Sequence, residues 1–207
     1  MSRLREEFTT ITWVMIPVAI AINIAIGTLI YAVKFPFVYL DSIGTVLVGV
    51  LAGPWAGLLT GLLSNLIWGL SGLNPAYTPY FIVGGAIGLF AGLFSRWGWF
   101  RTWWQAILAG VITGVIAAAC SAPITAYVYG GVTGAGTDVI TAFFRSMGFE
   151  NLAANFLQGL SVDPLDKAVT FLIVFLIAQL LPLRFIARFP RGEDVRPAEV
   201  SPAASRT

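Results

Sequence analysis

The chain has 207 residues, a net charge of +2, a hydrophobic fraction of 57% and a charged fraction of 11%. A soluble globular domain carries about a quarter charged residues, so water is not this chain's main solvent. With a mean hydropathy of +0.84, no histidine and one cysteine (Cys120), the composition excludes an intrachain disulfide and a Cys/His metal cluster.

No charged residue occurs from Ser42 to Ser95, or from Thr102 to Thr137. Apolar stretches of this kind read as membrane spans. Because they recur to the end of the chain, a signal peptide is a poor explanation. The first predicted span covers residues 11–33, with Pro17 near its start. The next apolar stretch holds Gly53-Pro54 at its centre. Proline removes a donor and disfavours helical geometry at the residue before it. The stretch therefore reads as a short helix over 42–52 and a fuller one over 54–70, with Pro54 in the first turn of the second. Lipid cannot satisfy the freed backbone groups, so the break must be buried in protein or lie at an interface.

A fourth span is predicted over 79–94 and a fifth over 104–129, interrupted by Pro123. The segment "AAACSAP" (117–123) reads as a packing kink, or as a place where carbonyls open toward a cavity. A long connection over 130–162 carries Val139, Ile140, Phe143, Phe144 and Met147 at helical spacing, then Leu152, Phe156, Leu157 and Leu160. It reads as two amphipathic helices joined at Gly148, the first capped by Thr137 or Asp138, acting as a lid or resting on the membrane surface. A sixth span follows over 164–182.

The predicted fold is thus all-α: a polytopic integral membrane protein with a six-helix transmembrane bundle and a long amphipathic outer connection between spans five and six. Residues 1–10 are expected as a cytoplasmic N-terminus, 11–187 as the membrane domain and 188–207 as a disordered cytoplasmic tail. Six crossings put both termini on one side, which holds nine of the twelve basic residues. Lys/Arg bias then makes that side cytoplasmic, in a multi-pass protein of the cell membrane. Trp97, Trp99, Trp103 and Trp104 fit an interfacial aromatic belt.

Small residues recur every fourth position: Gly53, Gly57 and Gly61; Gly84, Gly88 and Gly92; and the pair Ala21 and Ala25. Such faces let helix backbones approach closely. The glycine ladders read as internal packing, the alanine pair as packing or a partner surface.

Polar side chains inside a membrane domain usually face an interior or a water-filled cavity. Asn65 shares a helix face with Trp68. Asn74, Tyr77 and Tyr80 follow. Lys34 and Asp41 bracket the first outer loop, Tyr127 and Tyr129 end span five, and Asp163, Asp166 and Lys167 open span six. Together they suggest a shallow polar and aromatic cavity open to the outside. Plainer roles stand beside that one. Lys34 and Lys167 would anchor helix ends, Asp41 and Asp163 would cap helices, and the tyrosines would belong to the aromatic belt. The candidate ligand contacts are Asn65, Trp68, Asn74, Tyr80, Tyr127, Asp166 and Lys167. Aromatic rings, amides and both charge signs suit a small polar heterocycle better than a lipid or a metal ion. No nucleophile–base pairing, P-loop or dinucleotide motif is evident, so the chain is not expected to be an enzyme. Two similar halves are not evident either.

The segments "DSIGTVLVGVLAGPWAGLLTGLLSNLI", "YGGVTGAGTDVITA" and "VDPLDKAVTFLIVFLIAQLLP", with Ala21 and Ala25 in the first span, resemble the substrate-binding membrane subunit (S component) of energy-coupling factor vitamin transporters. The resemblance covers residues 12–182. It implies a six-helix bundle that captures a water-soluble vitamin or precursor from outside. It also implies docking on a transmembrane scaffold subunit driven by two ATPase subunits, with Ala21 and Ala25 facing the scaffold. The implied movement is toppling of the subunit with its occluded ligand. Asn23, between the two alanines, departs from a purely apolar docking face. No cofactor and no nucleic-acid partner is expected; membrane lipid is. Two other readings stay open: a ligand-sensing module signalling through a separate partner, and an integral membrane enzyme with an outer-face site.

Overall fold

The computed structural model describes residues 6–196, which form an all-helical bundle with no strand among them. The helices are α1 (Thr10–Ala32), α2 (Ile43–Ala52), α3 (Pro54–Leu70), α4 (Phe81–Arg96), α5 (Trp103–Val128), α6 (Asp138–Ser146) and α7 (Asn151–Leu180). Two single turns follow, α8 (Leu183–Ile186) and α9 (Gly192–Val195), and a 3₁₀ segment, Pro75–Tyr80, leads into α4. Among the described residues, three stretches are long and apolar enough to cross a membrane: Thr10–Ala32, Pro75–Arg96 and Trp103–Val128.

The Gly53-Pro54 break is real, and its surroundings explain it. α2 has only 10 residues, and all but Leu47 are buried. At about 1.5 Å per residue its helical part covers only about half of a ~30 Å hydrocarbon core. It lies at the centre of the bundle, against α1, α3, α4 and α7. Its end groups therefore need protein partners. The Gly44 N–H donates to Asn23 Oδ1 at 2.7 Å. At the other end, Ser95 Oγ donates to the Val50 carbonyl at 2.9 Å and the Arg191 N–H to the Leu51 carbonyl at 2.9 Å. Glu7 serves the start of α3, accepting from the N–H groups of Trp55 (2.8 Å) and Ala56 (3.2 Å) and pairing with Arg96. A carboxylate at a helix N-terminus is favoured by both the orphan donors and the helix dipole. Gly53 itself sits at φ +128°, where a Cβ would strike the Glu7 carboxylate.

The glycine ladders are packing surfaces. Gly57 faces Gly88 and Gly61 faces Gly84 across the α3–α4 interface, and a Cβ at any of the four would run into the opposing backbone. A second close approach joins α5 to α7, where Gly110 meets the Lys167 carbonyl and Gly114 meets Pro164. The main core lies among α2, α4, α5 and α7, built on Leu51, Phe100, Phe171 and Val174. A smaller core of Ile16, Ile20, Val48, Ala52 and Ala56 joins α1 to α2 and α3.

Three elements differ from the sequence-based expectation. The second amphipathic helix and the sixth span form one 30-residue helix, α7, with Pro164 inside it. The missing side chain of Gly114 leaves room for the proline. α5 likewise runs unbroken through Pro123. The chain also stays packed beyond residue 188: Phe189 and Val195 join the core, and Arg191 serves the end of α2. Of the expected tail, residues 197–207 lie outside the described residues, as do Arg3 and Arg5.

Candidate functional site

The turns 33–42 and 129–137 and the 3₁₀ segment Pro75–Tyr80 lie at one end of the bundle, and a cavity of about 110 Å³ opens among them. Its walls come from nearly every element. α1 supplies Tyr31, the 33–42 turn supplies Tyr39 and Asp41, α3 supplies Asn65, the 3₁₀ segment supplies Tyr77 and Tyr80, and α7 supplies Asp163 and Lys167.

The polar floor is a buried charge cluster. Lys167 Nζ pairs with Asp166, donates to Ser42 Oγ at 3.0 Å and lies 3.5 Å from Asp41 Oδ1. Of the ammonium's three donors, two go to Asp166 and Ser42, and Asp41 faces it as an ion pair. Asp166 Oδ1 accepts from the N–H groups of Tyr39 (2.8 Å) and Leu40 (2.9 Å). Leu40 sits at φ +51°, a conformation that costs a non-glycine residue about 1–3 kcal/mol unless its surroundings fix it. The Asp166 carboxylate thus clamps the 33–42 turn onto α7. In that turn, burial pushes the Asp41 carboxyl above the usual carboxylate range, with the Lys167 ammonium opposing the shift. Burial also pushes the Tyr39 hydroxyl up.

The 129–137 segment closes over the cavity from the side. Tyr31 Oη donates to the Thr133 carbonyl at 3.2 Å, Tyr39 Oη donates to Thr137 Oγ1 at 3.1 Å, and Tyr129 Oη donates to the Ala76 carbonyl at 2.9 Å. Asp138 fixes the segment locally, accepting from the N–H groups of Thr133 and Gly134. Asp138 therefore stabilises the loop before α6 rather than bonding to that helix's own N–H groups.

The seven residues singled out from the sequence fall into three groups. Asn65, Tyr80 and Lys167 line the cavity. Asn65 Nδ2 donates to the Tyr80 carbonyl at 2.8 Å, and Tyr80 Oη shares a 2.7 Å hydrogen bond with Thr125. Trp68, Asn74 and Asp166 stand behind the wall. Trp68 is 1% exposed and stacks on Tyr77 at 3.7 Å, seated against Gly27. Asn74 caps the 3₁₀ segment by accepting from the Ala76 N–H at 3.3 Å, and Asp166 is fully buried beneath the floor. Tyr127, 75% exposed, points away from the site. Asp41 and Asp163 do not cap helices. Asp41 faces Lys167, while Asp163 lies in the middle of α7. Ala21 and Ala25 are exposed on α1, and Asn23 between them is fully buried. Its amide donates to Thr45 (2.8 Å) and Ser64 (2.9 Å), so it does not interrupt the exposed face.

Sequence reasoning did not select Tyr31, Tyr39 or Gln158, all of which line the cavity. Their signal was weak, since a tyrosine at a span end reads equally well as a belt residue. Among the described residues, no group of three or more Asp, Glu, Cys or His side chains is placed to hold a metal ion. Compared with known proteins, the chain matches no family model, no curated protein and no solved structure.

Proposed function

We propose that the chain is the substrate-capture subunit of an energy-coupling-factor-type importer. It binds a small water-soluble vitamin or precursor from outside and delivers it inward by docking on an ATPase-driven membrane scaffold. The observation that carries this reading is the cavity: polar and aromatic, at one end of an apolar bundle, and bordered by a segment tied across it. Concave sites with a few convergent polar groups are the usual place for small ligands. The sequence resemblance supplies the transporter context. In this reading α1, α2, α3, α4, α5 and α7 are the six membrane segments, with α2 held inside the protein. Both termini are cytoplasmic and the cavity faces outward, in keeping with the Lys/Arg bias. The exposed Ala21 and Ala25 form the face toward the scaffold, where small residues permit close helix approach.

The test is affinity purification of the tagged chain from its native membranes in mild detergent, with mass spectrometry of what accompanies it. Recovery of a pair of ATPases with a helical membrane subunit is the expected result. Recovery of a kinase or other output protein without ATPases would replace the transport reading with a sensing one.

A further inference from the structure

Acidic side chains outnumber basic ones around the cavity. Asp41, Asp138 and Asp163 line it beside Lys167, and Asp166 pairs with Lys167 from behind the wall. Asp166 is consumed by the turn it clamps and by Lys167. Lys167 is already committed: it pairs with Asp166, donates to Ser42 and faces Asp41 at 3.5 Å. Among the described lining residues it is the one basic side chain. An anionic ligand would therefore meet three acidic side chains, Asp41, Asp138 and Asp163, and a lysine already paired with carboxylates.

Asp163 is placed differently. It lines the cavity at 6% exposure, and no ion pair within 4 Å engages it among the described residues. The Ser121 hydroxyl, also on the wall, donates to the Ala118 carbonyl at 3.3 Å. A carboxylate has about four acceptor sites, so most of its capacity is open to a ligand.

The walls complete the picture. Tyr31, Tyr39, Tyr77 and Tyr80 contribute rings to one small space. Tyr31 and Tyr77 stand edge to face at 6.3 Å, and Trp68 backs Tyr77 by stacking. Aromatic faces attract cations, most strongly where water is excluded. A cavity of this size suits a compound of one ring; an apolar cavity of about 150 Å³ takes benzene.

We infer that the cavity selects a small cationic ring compound, with its positive nitrogen directed at Asp163 and its ring held among the tyrosines. This rests on the capture-subunit reading of the same cavity and names its ligand class.

The test uses the purified full-length chain in detergent and three probes of one ring size: 1-methylnicotinamide (cation), nicotinamide (neutral) and nicotinate (anion). Binding is measured by calorimetry up to about 10 mM, a range that reaches weak affinities. The cation is expected to bind at least about tenfold more tightly than the neutral ring, which is about 1.4 kcal/mol, and nicotinate not to saturate. Asp163→Asn should erase the preference for the cation while leaving nicotinamide binding unchanged. A preference for nicotinate, equal binding of cation and neutral ring, or no binding of any probe overturns the inference. The wild-type comparison decides this even if the variant fails to fold. Failure of the transport reading shows elsewhere, as absence of ATPases on purification, and leaves the charge preference of the isolated chain intact.

Discussion

Asp166 separates a structural role from a ligand role, and two substitutions distinguish them. Its carboxylate holds Lys167 and accepts the N–H groups of Tyr39 and Leu40. In Asp166→Ala all three are lost. A hydrogen bond to a charged group contributes about 1.5–3 kcal/mol, and each orphaned buried donor costs about 1–3 kcal/mol. The 33–42 turn is only partly buried, so water would reach the freed N–H groups and the low end applies, about 4.5 kcal/mol for the three interactions. That falls within the roughly 3–5 kcal/mol seen when one member of a buried ion pair is removed. In Asp166→Asn the amide oxygen still accepts both N–H groups, while an amide nitrogen replaces the oxygen that accepts from Lys167, so that hydrogen bond and its charge are lost and the expected loss is about 2 kcal/mol. Reversible unfolding in mixed micelles, titrated with SDS, measures both. A loss below about 1 kcal/mol for the alanine variant, together with abolished ligand binding, would refute the clamp and make Asp166 a direct contact.

Glu7→Gln should keep the cap on α3 and lose the pairing with Arg96, for about 1–2 kcal/mol by the same titration, whereas Glu7→Ala should lose more because Trp55 and Ala56 are also orphaned. Gly61→Ala should loosen the α3–α4 contact, since the added methyl meets the Gly84 carbonyl. A melting temperature lowered by a loss of about 1–3 kcal/mol is expected, and an unchanged one would contradict the close approach. Ala21→Trp combined with Ala25→Trp alters an exposed face. Thermal stability and probe binding should stay as in the wild type, while co-purification of scaffold and ATPases should disappear; unchanged recovery would remove α1 from the docking surface.

Much of the helical layout was legible in the chain because membrane-type helices carry their own signal. Long uncharged runs locate them, and the Gly53-Pro54 break was visible because proline acts on the residues beside it. The glycine ladders were readable as close-packing faces for the same local reason. Pro164 misled, because local rules place a boundary there while the small Gly114 on another helix accommodates the ring. The candidate site was legible only as a composition of polar and aromatic residues near one end. Which of them face the cavity depends on contacts between distant segments. Asp166 meets Tyr39 and Leu40 across more than a hundred residues, and Glu7 reaches the start of α3 with both α1 and α2 between them in the chain. The sequence by itself determined that the chain is helical, apolar and broken at Gly53-Pro54, since these follow from solvent preference and backbone chemistry. Tertiary structure alone decided that α2 is sheltered inside the bundle, that Asp166 and Trp68 support the wall, and that Asp163 faces the cavity. Burial, and the partners a charged group finds, exist only once the helices have packed.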